Sequence, residues 1–166
     1  MRPLTTATTT ALLVALAATS AHAQKKTPLD GAWHQIASHV VAPDTTYNPA
    51  AALGLLIVSG THYSQIYLRP VDGGVTQAAA EPRTPSTAEE KAARYDALTA
   101  NTGTFEVVDS VATLHLDFAK TPSAQGTTQK RTFRIRHDTL WLTGSRPWAK
   151  DSTKSVKTLL TFVREK

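Results

Sequence analysis

The sequence contains no cysteine, and this absence limits both its chemistry and its architecture. Without thiols the chain can form no disulfide framework, thiolate metal site, thiol nucleophile or lipid-anchored bacterial N-terminus. Charged residues make up 19% of the 166 residues, which is too little for a solvated, disordered chain. Hydrophobic residues at 41%, together with many threonines, indicate one globular domain rich in β-strand.

The N-terminal segment has the three parts of a secretory signal. Arg2 precedes a short apolar run over 11–18, and small side chains up to Ala23 suit the signal peptidase. Because the run is shorter than the ~20 apolar residues of a membrane-spanning helix, we expect cleavage after Ala23 and no transmembrane segment in the mature chain. We therefore predict a signal peptide at 1–23, a tail at 24–28, one domain at 29–166 and a periplasmic or secreted location.

Short runs rich in Val, Ile, Leu, Thr and Tyr then alternate with turn residues, which is typical of an all-β barrel or sandwich. We predict eight strands, at 32–41, 55–58, 63–69, 104–108, 112–119, 129–137, 139–143 and 156–164. Pro70 to Pro85 is rich in turn residues and is predicted to be a mobile surface loop. Ser86 to Ala100 is predicted to be an amphipathic helix that begins with a capping box at Ser86 and ends before Gly103.

Two-residue alternation assigns the side chains of each strand to a face. The predicted core face of the later strands carries large apolar residues, namely Leu114, Leu116, Phe118, Phe133, Ile135, Leu140, Leu142, Leu160 and Phe162. The opposite, solvent-facing phase includes Tyr63, Tyr67, His115, Asp117, Arg134, Arg136, Trp141 and Lys157.

Gly31-Ala32-Trp33 stands at the head of the first strand, followed by the segments 54–58, 60–64 and 103–107 in the same order along the chain. This order resembles the bacterial lipocalin-like domain, a compact variant of the calycin barrels. The resemblance covers about Leu29 to Arg164. It implies an all-β fold, an eight-stranded antiparallel up-and-down barrel with one short helix, whose interior can hold one small ligand.

The resemblance also implies a pair of residues that closes one end of the barrel. In lipocalins the tryptophan of the Gly-x-Trp motif lies beneath an arginine from a late strand, and Trp33 and Arg164 match these positions. We expect the two side chains to stack in a cation–π contact of ~1 kcal/mol. The resemblance transfers no catalytic residue.

Inside such a barrel the predicted phases bring together a candidate ligand site. Gln35 shares the inward phase of the first strand, and His62 and Ser64 share the phase of two aliphatic residues farther along their strand. These polar groups, with Phe105 and Leu116 as apolar lining, predict a cavity for a small apolar or amphipathic ligand. The alternative is that they hydrogen-bond one another or buried water and specify only the core.

The sequence gives little support to other site chemistries. His34 and His39 are five residues apart and fall on opposite faces of a strand, so we predict no metal site, and no cofactor is indicated. His62 and Ser64 lack both a Gly-x-Ser-x-Gly turn and an orienting carboxylate, so no catalytic residue is assigned. Eight Lys and Arg against two Asp between Lys130 and Lys157 have no interleaved ridge of aromatics, so we predict no nucleic-acid partner.

Three functions therefore stay open. We expect a monomeric, exported protein that binds a small, largely apolar molecule without turning it over. A cofactor-free isomerase or cyclase in the same cavity is the enzymatic alternative, since it would need little more than one His or Tyr as acid or base. The third possibility is a filled barrel that acts only through its surface.

Overall fold

The computed structural model describes residues 26–49, 53–69 and 87–166. The predicted signal peptide, the predicted loop from Pro70 to Pro85 and the predicted cap Ser86 lie outside the described residues. Within these ranges the chain is mostly β-strand, with one α-helix and one short 3₁₀ turn.

The strands form a closed antiparallel barrel. The elements are β1 (Gly31–Ala42), β2 (Thr45–Tyr47), β3 (Leu53–Ser59), β4 (His62–Leu68), α1 (Ala88–Ala97), β5 (Leu98–Val108), β6 (Val111–Ala119), the 3₁₀ turn (Pro122–Ala124), β7 (Thr128–Arg136), β8 (Thr139–Trp148) and β9 (Asp151–Arg164). Consecutive strands pair from β3 to β9, and β1 pairs with both β3 and β9, which closes an eight-stranded barrel. The predicted fold is confirmed; β2, predicted as loop, adds a short strand against β1.

Tight turns keep consecutive strands adjacent. Gly60 joins β3 to β4 with a φ of 58°, a conformation that glycine adopts at little cost. Asp109 and His137 take φ values of 54° and 53° in the turns that follow β5 and β7. Aspartate and histidine are among the residues that best tolerate this region, so the up-and-down order follows from local turn chemistry.

The helix begins and ends differently from the prediction. Thr87, and not Ser86, is the N-cap: its hydroxyl accepts from Glu90 N at 3.2 Å, and Glu90 accepts from Thr87 N at 3.0 Å. The helix ends at Ala97, and β5 begins at Leu98, which pairs with Leu68 of β4. Pairing with β4 therefore holds residues 98–103 as strand, although the sequence predicts a helix to Ala100 and a break at Gly103.

Two β-bulges reverse the side-chain phase within a strand. The register with β9 shifts between Gln35 and Ala37 of β1, and the β5–β6 register shifts beside Gly103. Each extra residue turns the following side chains to the other face. Consequently Val40 of β1 is buried, although plain alternation from Trp33 would turn it outward, and Phe118 of β6 is 55% exposed. The prediction of Phe118 in the core is therefore wrong.

Apolar side chains fill one half of the barrel, here called the closed half. Its buried members are Leu29, Trp33, Leu56, Val58, Tyr63, Phe105, Ala112, Phe133, Leu140, Leu142, Leu160 and Phe162. The void among them measures about 20 Å³.

Trp33 is fully buried, its Nε1 donates to Leu29 O at 2.7 Å, and Arg164 Cζ lies 4.0 Å from the centroid of its ring. The stacked pair implied by the resemblance is therefore present.

Candidate functional site

The other half of the barrel, here called the open half, holds a cavity of about 810 Å³. This volume lies within the range of ~300–1,000 Å³ that is usual for small-molecule sites. The lining residues are Gln35, Ser38, Val40, Tyr47, Pro49, Gln65, Tyr67, Arg69, Thr99, Asn101, Thr128, Gln129, Lys130, Arg131, Gly144, Ser145, Arg146, Pro147, Thr158 and Leu160. Most of these side chains are polar, whereas the sequence analysis expected an apolar cavity with one polar spot.

Strand pairing places the polar residues on the inner face. Gln65 of β4 lies opposite Leu56 of β3, which belongs to the core, and also opposite Asn101 of β5. Directly paired residues project to the same side of a sheet, so both amides point into the barrel. On the opposite wall Arg131 of β7 pairs with Gly144 of β8.

The Arg131 side chain lies inside the barrel against Gly144. A β-carbon at Gly144 would overlap the guanidinium, so glycine at this position gives Arg131 the space that it occupies. Arg131 Nη2 donates to Gln129 Oε1 at 2.9 Å. Burial lowers the pKa of the Arg131 guanidinium, although the nearby hydroxyls of Tyr67 and Tyr63 act in the opposite direction.

Two further polar atoms are buried between the cavity and the packed core. In the part of the chain that the structure describes, Gln35 Oε1 and Tyr63 Oη are inaccessible to solvent and have no hydrogen-bond partner. Burial, reinforced by the charge of Asp117, raises the pKa of Tyr63 to about 12. The Tyr63 hydroxyl is therefore neutral at physiological pH.

The predicted polar site is only partly assembled. Gln35 is 8% exposed and lines the cavity, as its predicted phase requires. His62 is exposed, and Ser64 shares its outward phase, because Tyr63 and Gln65 occupy the inner face of β4. The prediction that His62 and Ser64 point inward is therefore wrong, as is the outward assignment of Tyr63.

The reason for this reversal lies in β3. Its run of aliphatic residues is apolar on both faces, so its own sequence does not show which face is inward. The observed register pairs the buried Val58 with Tyr63, and β4 must follow that phase. Ile66, which suggested the opposite assignment, is 52% exposed.

The two predicted apolar lining residues belong to packed regions. Phe105 is 4% exposed and borders the small void of the closed half. Leu116 is 2% exposed and lies outside the set of residues that line the large cavity. Neither side chain is placed to contact a molecule in the open half, so any role of theirs there would be indirect.

Sequence reasoning missed Gln65, Tyr67 and Arg131 as lining residues. Arg131 stands two residues before Phe133 and four before Ile135, in the phase predicted to be inward. That alternation was a sufficient signal, but a charged side chain on a core face is rare enough to be overlooked.

Residues 26–49, 53–69 and 87–166 contain no group of three or more His, Cys, Asp or Glu side chains that could hold a metal ion. Over the same ranges, no helix has the length and apolar character needed to cross a membrane.

Comparison with known proteins gives one match. A family model described as a lipocalin-like domain matches residues 31–165, a range that contains every strand of the barrel. Neither the curated proteins nor the solved structures provide a significant match.

Proposed function

Because the chain belongs to the lipocalin-like domain family, we propose that its barrel binds one small amphipathic molecule in the open half. The observation that carries this proposal is the contrast between the two halves. Apolar side chains reduce the void in the closed half to about 20 Å³, whereas the open half keeps about 810 Å³. A barrel that acted only through its surface would gain stability by filling the second half as well as the first.

The lining of the open half supports an amphipathic ligand. Amides from four strands, at Gln35, Gln65, Asn101 and Gln129, offer hydrogen-bond donors and acceptors. Leu160 and Val40 add apolar contact surface on neighbouring strands. Convergent polar groups that fix orientation beside apolar contacts are typical of small-molecule sites.

Native mass spectrometry of the mature protein, purified from its own host, tests the proposal. We expect one chain carrying one small molecule, released on denaturation and then identified. If the protein carries nothing, uptake of the neutral fluorescent probe N-phenyl-1-naphthylamine is measured next. A chain that is empty and also takes up no probe contradicts the proposal.

Paired variants show whether a bound molecule occupies the cavity. Gln35→Leu changes a lining amide, and we expect the probe affinity to shift by ~threefold or more. Gln125→Leu makes the same change at an exposed position outside the barrel and should leave the affinity unaltered. Equal effects of the two variants would place the bound molecule elsewhere.

An isomerase or cyclase in the same cavity is the second candidate. Tyr67 lines the cavity and carries a hydroxyl that could act as acid or base. The protein is incubated with its co-purified molecule, and chromatography that separates isomers of equal mass would reveal turnover. Loss of that turnover in Tyr67→Phe would favour the enzyme over the binding protein.

We also propose that the chain is exported and cleaved after Ala23. The charged start, the short apolar run and the small residues before Gln24 support this. The intact mass of the protein from its host should correspond to a chain that begins at Gln24. Full-length protein retained in the cytoplasm would contradict the proposal.

A further inference from the structure

The described residues that line the cavity carry charge of one sign only. Of the described residues that line it, four are basic, namely Arg69, Lys130, Arg131 and Arg146, and none is aspartate or glutamate. Three of the four are exposed, and Arg131 is the one held within the barrel. A cationic lining without carboxylates favours an anionic guest over a neutral or cationic one.

Among the described residues, the partly buried guanidinium of Arg131 has no carboxylate partner. The ion pairs among the described residues join His34 to Glu165, Lys150 to Asp44 and Lys154 to Asp151, so none involves Arg131. Within the described part of the chain, the guanidinium donates to one side chain, the neutral amide of Gln129. The other N–H donors of the guanidinium are therefore available to a ligand. An anionic ligand would also offset the cost of removing this charge from water.

We propose that the ligand of this barrel carries a carboxylate, which pairs with the guanidinium of Arg131 inside the open half. This inference rests on the proposed binding function and specifies the class of ligand. The planar guanidinium of arginine can donate two parallel hydrogen bonds to the two oxygens of a carboxylate. The ligand would thereby supply the anion that no described residue supplies to Arg131. Val40, Tyr47 and Leu160 offer contacts for the rest of the molecule.

One partly buried cation favours a monoanion over a phosphate monoester. The Arg131 guanidinium neutralises one negative charge, and the other cations that line the cavity, Arg69, Lys130 and Arg146, are exposed to solvent. A dianion would therefore retain an uncompensated charge in a partly desolvated site. Lys130 and Arg146, which are exposed, would instead accelerate the encounter with an anion, an effect that salt weakens.

Two fluorescent probes of almost the same shape test the proposal. 1-Naphthaleneacetate and 1-naphthaleneacetamide differ in charge, and titration gives their dissociation constants with the mature protein. We expect the acid to bind ~tenfold or more tightly than the amide, because charge-assisted hydrogen bonds are the stronger class. In Arg131→Gln we expect the acid to lose ~10- to 100-fold in affinity and the amide to change by less than ~threefold.

Arg136→Gln is the matched control. Arg136 lies on the same strand but is exposed, so the variant loses the same charge without altering the cavity. Its affinity for the acid should stay within ~twofold of the parent protein. Equal losses in the two variants would show that net charge alone attracts the acid, and this would overturn the proposal.

Gly144→Ala provides a second variant that keeps the charge. Its added methyl group overlaps the guanidinium and displaces it, so the acid should again lose affinity relative to the amide. Circular dichroism melting identifies any variant that fails to fold, and the other variant then carries the test.

The outcomes separate this inference from the proposed function. Acid and amide bound with equal affinity would overturn the inference and leave the binding function standing. If neither probe binds and native mass spectrometry finds no bound molecule, the binding function itself would be overturned. Tighter binding of 1-naphthyl phosphate than of the acid, lost in Arg131→Gln, would replace the carboxylate with a phosphate.

Discussion

At the scale of single residues, the molecule carries polar groups where packing alone would favour apolar ones. Tyr63 is 4% exposed, and its hydroxyl has no hydrogen-bond partner among the described residues. An unpaired buried hydroxyl loses its bonds to water and gains none in return. Tyr63 therefore lowers the stability of the fold relative to a phenylalanine of the same shape.

We expect Tyr63→Phe to raise the free energy of unfolding by ~1 kcal/mol, as measured by urea denaturation at pH 7. The difference should grow at alkaline pH. The unfolded chain releases the phenol proton from about pH 10, whereas the folded chain keeps it until its pKa of about 12. Between these values the parent protein should lose stability faster than the variant, and parallel pH profiles would contradict the assignment.

Arg131 should increase the affinity for an anionic ligand but decrease the stability of the empty protein. Without ligand, the partly buried guanidinium has no anionic partner among the described residues, so Arg131→Gln should raise the stability of the empty protein by ~1 kcal/mol, or ~3 °C in melting temperature. Arg136→Gln, at an exposed position, should change it by less than ~0.5 kcal/mol. A destabilised Arg131→Gln variant would indicate that Arg131 supports the fold in the absence of ligand.

At the scale of elements, the bulge in β6 brings two backbones into close contact. It lies beside Gly103 of β5, where any β-carbon would overlap the carbonyl oxygen of His115. The glycine that the sequence analysis interpreted as a helix stop is therefore a strand residue. It permits the close approach of β6, as glycine often does within strands.

Gly103→Ala should destabilise the protein by about 3 kcal/mol or more, because backbone atoms cannot move aside as a side chain can. Gly126→Ala is the comparison: a β-carbon there meets nothing within 4 Å, and its cost arises from a φ of 75°. That cost should be ~1 kcal/mol. Chemical denaturation gives the free energy of unfolding of both variants. A loss at Gly103 no larger than that at Gly126 would show that the β5–β6 pairing adjusts to the added methyl group.

At the scale of the whole molecule, closure of the barrel depends on the pairing of β1 with β9. Trp33 and Arg164 are directly paired across this seam. Arg164 stacks on the indole and donates to the carbonyl oxygens of Asp30 and Pro28, which binds the segment before β1 to the end of β9. These contacts join residues more than 130 positions apart in sequence.

We expect Trp33→Ala to destabilise the barrel by ~3–5 kcal/mol, since it empties a fully buried site. Arg164→Met should cost ~1–2 kcal/mol through the lost stacking and hydrogen bonds. Arg134→Met removes a comparable stack on Trp141, at 4.3 Å but on the outer face, and should cost less. Thermal melting of the three variants gives the order, and an unchanged melting temperature for Trp33→Ala would refute the role assigned to this seam.

The fold was more predictable from the sequence than the site was. Strand positions were predictable because β-rich runs and turn residues act locally. Each predicted segment lies on one barrel strand, and two of them, 63–69 and 129–137, extend one residue beyond it. The site was less predictable because it depends on which face of a strand points inward. For β1 the fully buried Trp33 fixed the phase and placed Gln35 correctly; for β4 the exposed Ile66 suggested the wrong one.

The sequence by itself determined the positions of the eight barrel strands, because turn residues and alternation are local properties, and its resemblance to the lipocalin-like family implied the closure pair at Trp33 and Arg164. Only the tertiary structure decided which phase of β4 faces inward, where bulges reverse a phase, and that half of the barrel stays open around Arg131, which has no carboxylate partner among the described residues. The physical reason is that either of the two alternating sets of side chains in a strand can face the interior. Pairing with neighbouring strands determines which set does, and one extra residue in a strand turns the following side chains to the other face.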